Sequence, residues 1–193
     1  AEGNVGAGTG ATVGKILGMG QAMKSGIGTA CIQIGRLKVG AIIAVNAFGD
    51  VVDPNTGQIL AGVRSIHKGP IHIGSEAYFA GTLKVMGEWV GRTALNFAAH
   101  SNTVIGVVAT NARLTKEQVN KVAQMAQDGL ARTIRPAHTM LDGDTLFSLA
   151  NGQYRADVNL VGAYAAEVVA QAILRAIQTA QPAGGLPARM SQK

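Results

Sequence analysis

The sequence predicts a layered α+β protein, and three observations carry that expectation. The runs Thr29–Ile34 and Leu37–Asn46 read as two strands joined at Gly35-Arg36. Two long helices, one before Pro136 and one before Pro182, follow in the second half of the chain. Strands and helices alternate without a regular βαβ rhythm, which favours two-stranded pieces with helices packed on them over a doubly wound parallel sheet. A length of 193 residues suits a single domain, 1–193, able to bury a sizeable core.

The elements can be justified in order. Residues 1–14 are Gly-rich and read as loop, with a short helical stretch expected over Lys15–Met23. Ala30, Ile32 and Ile34 alternate with Thr29, Cys31 and Gln33, the period of a half-buried strand. Asp53-Pro54-Asn55-Thr56-Gly57 is a turn signal. Residues 58–80 show no clear period and read as a long excursion, and Thr82 to Ala99 suits helix and strand equally. The run Thr103–Thr110, TVIGVVAT, is apolar on both faces and reads as a strand covered on both sides. Thr115 and Gln118 form a capping-box signature. Beyond it Val119, Val122, Ala123, Ala126 and Leu130 fall at helical spacing. Asp142-Gly143-Asp144 is a turn into a short strand, Thr145–Leu149, and Asp157 can cap a last helix running to about Ala180. That helix carries one narrow polar stripe of Glu167, Gln171, Arg175 and Gln178, so its other sides are expected to be covered. The tail from Gln181 reads as loose.

Composition excludes several classes. Apolar residues make up 47% of the chain, too many for a disordered protein. The net charge of +6 comes from scattered Lys and Arg with no basic run, which argues against nucleic-acid binding. The apolar stretch Val158–Ile177 contains Glu167 and Arg175, which argues for a buried helix rather than a membrane span. No targeting signal is visible, and a lone cysteine, Cys31, fits a reducing, cytoplasmic setting and a small buried core position.

Candidate sites divide sharply. GAGTGATVGK resembles a phosphate loop but fails on spacing: Thr9 stands where the first Gly of a Walker motif belongs, and Ile16 where its hydroxyl belongs. Gly6, Gly8 and Gly10 are better explained by sharp turns and close backbone contacts. His67, His72, His100 and His138 have no zinc-helix spacing, so no metal is expected and each reads as a surface or hydrogen-bonded polar residue. Ser101-Asn102-Thr103 differs, because it sets a small hydroxyl residue at the mouth of an apolar strand. One explanation is that Thr starts strands well. The other is chemical. Scission of the Asn102–Thr103 bond by an N→O acyl shift and hydrolysis would give Thr103 a free α-amine beside its own hydroxyl. Such an amine titrates near neutrality and can accept the hydroxyl proton without a histidine.

The run from Ser101 to Ala112, the helix after it, the turn Asp142-Gly143-Asp144-Thr145 and the early stretch Gly8–Lys15 together resemble one family. It is the self-processing hydrolases that include the nylon-oligomer (6-aminohexanoate-oligomer) endohydrolases, the β-peptidyl aminopeptidases and the L-aminopeptidase/D-amidase-esterases. The likeness runs from residue 3 to about 180, and Asn-Thr at the cut resembles the nylon-oligomer branch, since the aminopeptidase branch typically has Gly-Ser there. It implies a four-layer αββα sandwich of the N-terminal-nucleophile type. After autocleavage, 1–102 would be the C-terminal part of an α subunit and 103–193 a β subunit, assembled as a homo-oligomer, a tetramer of such heterodimers. Thr103 matches the nucleophile, and Asn102–Thr103 the cleavage point. Asp142 and Asp144 match the acidic turn that positions the new amine and hydroxyl. Asn46 resembles the family asparagine that donates to the developing oxyanion, a contribution of about 3 kcal/mol in comparable sites. Asn55 is the alternative match. Lys24 resembles the family lysine whose charge lowers the amine's pKa and offsets the carboxylates. Family members also carry an upstream segment with core strands and an active-site tyrosine, and Ala1 falls roughly where it should end. The resemblance implies hydrolysis of linear amides through an acyl-Thr103 ester without cofactor, most simply of 6-aminohexanoate oligomers. An aminopeptidase acting on small or β-amino residues is the alternative, and a silent scaffold or binding protein is the alternative outside enzymes.

Overall fold

A computed structural model describes residues 1–68, 71–73, 77–88 and 102–189. Strands β1 (Thr12–Val13), β2 (Met23–Lys24), β3 (Ile27–Ile34), β4 (Leu37–Asn46), β5 (Asp50–Val52), β6 (Ile59–Ala61), β7 (Ile66–Lys68) and β8 (Ile71–Ile73) come first. Helix α1 (Thr82–Gly87), β9 (Thr103–Ala112), α2 (Lys116–Thr133), β10 (Ile134–Arg135), β11 (Thr145–Tyr154) and α3 (Val158–Thr179) follow.

The central sheet has the order β11-β9-β4-β3, parallel between β11 and β9 and antiparallel elsewhere. Helices α2 and α3 pack on each other and on one face of this sheet, α3 against β3 and β4 and α2 against β11. Strand alternation explains the choice of face. Leu37, Val39, Ala41, Ile43 and Val45 of β4 and Val104, Val108 and Ala112 of β9 point inward and meet Val122, Ala126 and Leu130 of α2 and Val169, Ile173 and Ile177 of α3. Each helix starts where the sequence provides a cap. Thr115 and Gln118 form the reciprocal capping box, and Asp157 accepts from the N–H groups of Asn159 and Leu160. Close backbone approach is built in: an added Cβ at Gly28 would collide with the Ala172 carbonyl of α3, and one at Gly129 with the Ala166 carbonyl. Helix α3 is long and apolar enough to cross a membrane by composition, but the sheet and α2 cover most of it and leave Glu167, Arg175 and Gln178 in its exposed stripe.

Several expectations are corrected. The stretch 15–23 holds only a 3₁₀ turn at Met19–Gln21, because Gly18 takes a positive φ and Met23–Lys24 pairs as β2 with β1. Cys31 is exposed, not buried, since it points outward from the edge strand β3. Among the described residues strand β9 is covered on one face only: Ile105 is 45% exposed, and beside it Ile42, Phe147 and Leu149 are also open. Strand β11 continues past Leu149 to Tyr154 through a register shift. The excursion 58–80 contains the short strands β6 to β8. The tail as far as Arg189 is tied down rather than loose, because the Lys24 N–H donates to the Pro187 carbonyl (2.7 Å) and Ala188 is buried. Of the segment 82–99, helix α1 accounts for the start and residues 89–99 lie outside the described residues.

Candidate active site

Thr103 and Asn46 face each other across the end of the central sheet. They are register partners, the first residue of β9 against the last of β4. One residue upstream, Asn102 forms a parallel bridge with Asp142, which draws the turn 142–144 onto the Asn102–Thr103 bond. Two donors converge on the Asn102 carbonyl oxygen: the Thr103 hydroxyl at 2.6 Å and the Gly143 N–H at 2.8 Å. Asn102 is itself buried, and its Nδ2 donates to the Leu141 carbonyl (3.1 Å). The bond predicted to break is therefore held from both sides of the bridge.

The two carboxylates are structural clamps as well as candidate chemistry. Oδ1 of Asp144 accepts the Val104 N–H at 2.9 Å and so fixes the start of β9. Its Oδ2 accepts the His138 N–H at 3.2 Å and lies 3.3 Å from His138 Nδ1. Oδ1 of Asp142 accepts the Phe48 N–H (3.0 Å) and Oδ2 the Thr139 hydroxyl (2.7 Å), which locks the turn to the chain just beyond β4. Burial raises the Asp144 carboxyl above its ordinary pKa; the Val104 N–H opposes that rise and the neighbouring Asp142 charge adds to it.

Lys15 is a cation at this site. Its Nζ donates to Asn46 Oδ1 at 2.6 Å and to the Asn46 carbonyl at 3.2 Å. Burial lowers its pKa from 10.5 to about 8, with the Asp142 charge opposing. Gly14, at a φ of 70°, lets the chain turn so that the Gly14 and Lys15 N–H groups bond the carbonyls of Gly49 and Phe48. An added Cβ at Gly14 would strike the Gly62–Val63 backbone. Lys24, expected near the nucleophile, donates to the Thr9 carbonyl (2.8 Å) from β2, and its register partner Thr12 bonds Asn46. Of the two asparagines, Asn46 is the one opposite Thr103, whereas Asn55 sits in the 53–57 turn with its N–H on Asp53. The Asn46 amide is oriented by Lys15 and by the Thr12 N–H (3.2 Å), both on Oδ1, so its Nδ2 is turned away from Lys15.

Of the residues singled out in the sequence, the structure brings Thr103, Asn102, Asp142, Asp144 and Asn46 together, and it adds Lys15 and His138 beside them. The only available signal for Lys15 was its isolation: it is the one charged residue between Glu2 and Lys24. His138 carried a weaker hint, six residues before Asp144, and its positive φ of 55° shows only in three dimensions. His67 and His72 are register partners across β7 and β8, remote in sequence from this turn, and Ser101 and His100 lie outside the described residues.

Such an arrangement, a hydroxyl beside a peptide carbonyl that already receives a backbone N–H, with two carboxylates and a cation alongside, suits acyl transfer onto the hydroxyl. Comparison with known proteins bears on both the family and the fold. The chain is 38% identical over 208 residues to an uncharacterized aminopeptidase of Mycobacterium leprae, covering 97% of this chain and 51% of that protein. It is 27% identical over 192 residues to the 6-aminohexanoate-oligomer endohydrolase of Paenarthrobacter ureafaciens, covering 91% and 50%. Its structure matches the L-aminopeptidase D-Ala-esterase/amidase of Ochrobactrum anthropi, described as a variant of the Ntn hydrolase fold, with a TM-score of 0.59 at 21% identity, covering 96% of this chain and 47% of that one. The α+β architecture is therefore of the N-terminal-nucleophile type, and the chain spans about half the length of these relatives. The model of peptidase family S58 matches residues 1–190, and the chain belongs to that family.

Proposed function

We propose that this chain is an amide hydrolase that cleaves its own Asn102–Thr103 bond and then uses Thr103 as an N-terminal nucleophile. The observation that carries the reading is the convergence of the Thr103 hydroxyl and the Gly143 N–H on the Asn102 carbonyl. In maturation Thr103 Oγ1 adds to the Asn102 carbonyl carbon, the C–N bond breaks, and the hydroxyl proton ends on the Thr103 nitrogen. Water then hydrolyses the resulting ester and leaves an Asn102 carboxylate and a free Thr103 amine and hydroxyl. In turnover that amine, with a pKa near 7.7 in an ordinary setting, accepts the hydroxyl proton as Oγ1 attacks the substrate amide. Asp144 holds the strand that carries Thr103, Asp142 holds the turn, and Lys15 orients Asn46 as a donor opposite the nucleophile.

The substrate we favour is a linear amide of the 6-aminohexanoate-oligomer kind, which the Asn-Thr junction and the likeness to the endohydrolase support. A second reading, an aminopeptidase, is favoured by the greater identity to the mycobacterial aminopeptidase. Self-association into a homo-oligomer belongs to either reading. Intact mass of purified protein should show two pieces, 1–102 and 103–193. Thr103→Ala should leave one uncut, inactive chain, and Thr103→Ser should retain part of both reactions. A wild-type preparation that turns over amides while wholly uncut would refute the mechanism. Equal activity on free and N-capped amide oligomers selects the endohydrolase, and loss of all activity on capped oligomers selects the aminopeptidase. Light scattering should give a mass above that of one processed pair.

A further inference from the structure

We infer that the backbone N–H of Gly143 is a catalytic group of self-cleavage: it is the donor that stabilises the oxyanion formed on the Asn102 carbonyl. This rests on the self-processing reading above and assigns to it a group that no side chain announces.

The two donors on the Asn102 oxygen fare differently in the reaction. Before reaction the Thr103 hydroxyl donates at 2.6 Å and the Gly143 N–H at 2.8 Å. When Oγ1 becomes the nucleophile it gives up its proton and no longer donates. The Gly143 N–H stays, because the turn that carries it is fixed through Asp142 and Asp144 and not by the reacting side chain. Charge then grows on an oxygen already facing a fixed N–H in a largely buried setting, where such a donor is worth most. The turn that carries the N–H is held independently on both sides. Asp142 is bonded to the Phe48 N–H and the Thr139 hydroxyl, and Asp144 to the N–H groups of Val104 and His138.

The same residue explains why a glycine stands between the two aspartates. Gly143 has no positive φ, so no backbone strain demands it. A Cβ there would come within 2.9 Å of Thr103 Oγ1 and 3.7 Å of the Asn102 carbonyl oxygen. Only a residue without a side chain lets the N–H reach the carbonyl while leaving the hydroxyl room to move onto the carbon.

The atoms balance without a co-reactant other than water: the Oγ1–C bond forms, the C–N bond breaks, and the proton leaves Oγ1 and arrives on nitrogen. The Gly143 N–H keeps its proton throughout.

The test replaces Gly143 by glycolate in the full chain through cell-free translation, so that an ester oxygen stands where the N–H was and no side chain is added. Scission, followed by intact mass, should slow about 10²-fold or more. Scission at the wild-type rate overturns the inference. Because the ester could also weaken the turn, a second measurement uses the uncleavable Thr103→Ala chain with the native glycine. There the Gly143 amide proton should exchange with solvent at least about 10²-fold more slowly than in an open turn, and exchange at the open-turn rate overturns the inference. If the wild-type chain itself never divides, the parent reading fails instead, and the two failures are told apart by that control.

Discussion

The Lys15 ammonium donates to both oxygens of Asn46 and sits where Asp142 acts on it, yet burial brings its pKa down to about 8. Its charge is therefore lost from about pH 8 upward instead of from 10.5. Two consequences of opposite sign follow. Scission of the uncut chain, in which no Thr103 amine yet exists, should slow as pH rises through 8, and Lys15→Met should slow it by about 10²-fold at pH 7 and abolish that limb. Stability should move the other way. The folded chain binds fewer protons than the unfolded chain between pH 8 and 10.5, so unfolding free energy rises with pH across that window, and the cost of the buried charge is fully present below it. Urea unfolding of wild type and Lys15→Met at pH 7 and pH 10 measures the difference; an equal gap at both values would remove Lys15 from the account. His138 is also testable. Its ring and N–H meet the same Asp144 oxygen, so His138→Ala should alter the pH profile of scission while leaving the helical signal intact.

Elements are joined here by backbones that touch. Helix α2 reaches α3 because Gly129 admits the Ala166 carbonyl, and α3 reaches β3 because Gly28 admits the Ala172 carbonyl. Gly129→Ala should destabilise the chain by roughly 1–3 kcal/mol through overpacking, even though alanine is the better helix former. Thermal unfolding measures it, and an unchanged or higher Tm would show that the helices can part without cost. The N-terminal segment is fastened to the same helix by Glu2, which accepts from Thr29 and pairs with Arg175. The Arg175 hydrogen bond, then those from Thr29, hold the Glu2 carboxyl down from 4.5 to about 2. Its contribution is present above pH 4.5 and fades as pH falls toward 2. Arg175 is half-exposed, so solvent screens the pair and the gain is small. Glu2→Gln should lower stability more at pH 7 than at pH 2 in acid titrations of stability.

At the scale of the molecule the central sheet is two-sided in an unequal way. Its inner face is sealed by α2 and α3, while Ile42, Ile105, Phe147 and Leu149 open outward on the other. Register places these side chains on the face that also carries Asn46 and Thr103. A contiguous apolar face of this kind is costly in water. The 193-residue chain should therefore bind an apolar fluorescent dye, and the double variant Phe147→Glu, Leu149→Lys should weaken that binding several-fold with little change in the unfolding midpoint. Dye binding that ignores the substitutions would place the apolar surface elsewhere.

Local physics left clear marks in the sequence. The strand runs joined at Gly35-Arg36 located β3 and β4 to within two residues, the Thr115–Gln118 and Asp157 caps located both long helices, and the Ser101–Ala112 run with the Asp142–Asp144 turn pointed to the site. These signals survive because they depend on neighbours a few residues apart. Tertiary structure decided what depends on groups far apart in the chain. It set Lys15 against Asn46, because a positive-φ glycine turns residue 15 toward it. It turned Cys31 outward and left one face of β9 open, because side-chain pattern does not reveal which face of a sheet its helices cover. It also set a backbone N–H from residue 143 on the carbonyl of residue 102, a contact no residue type encodes, since every glycine carries the same N–H and only the fold aims it.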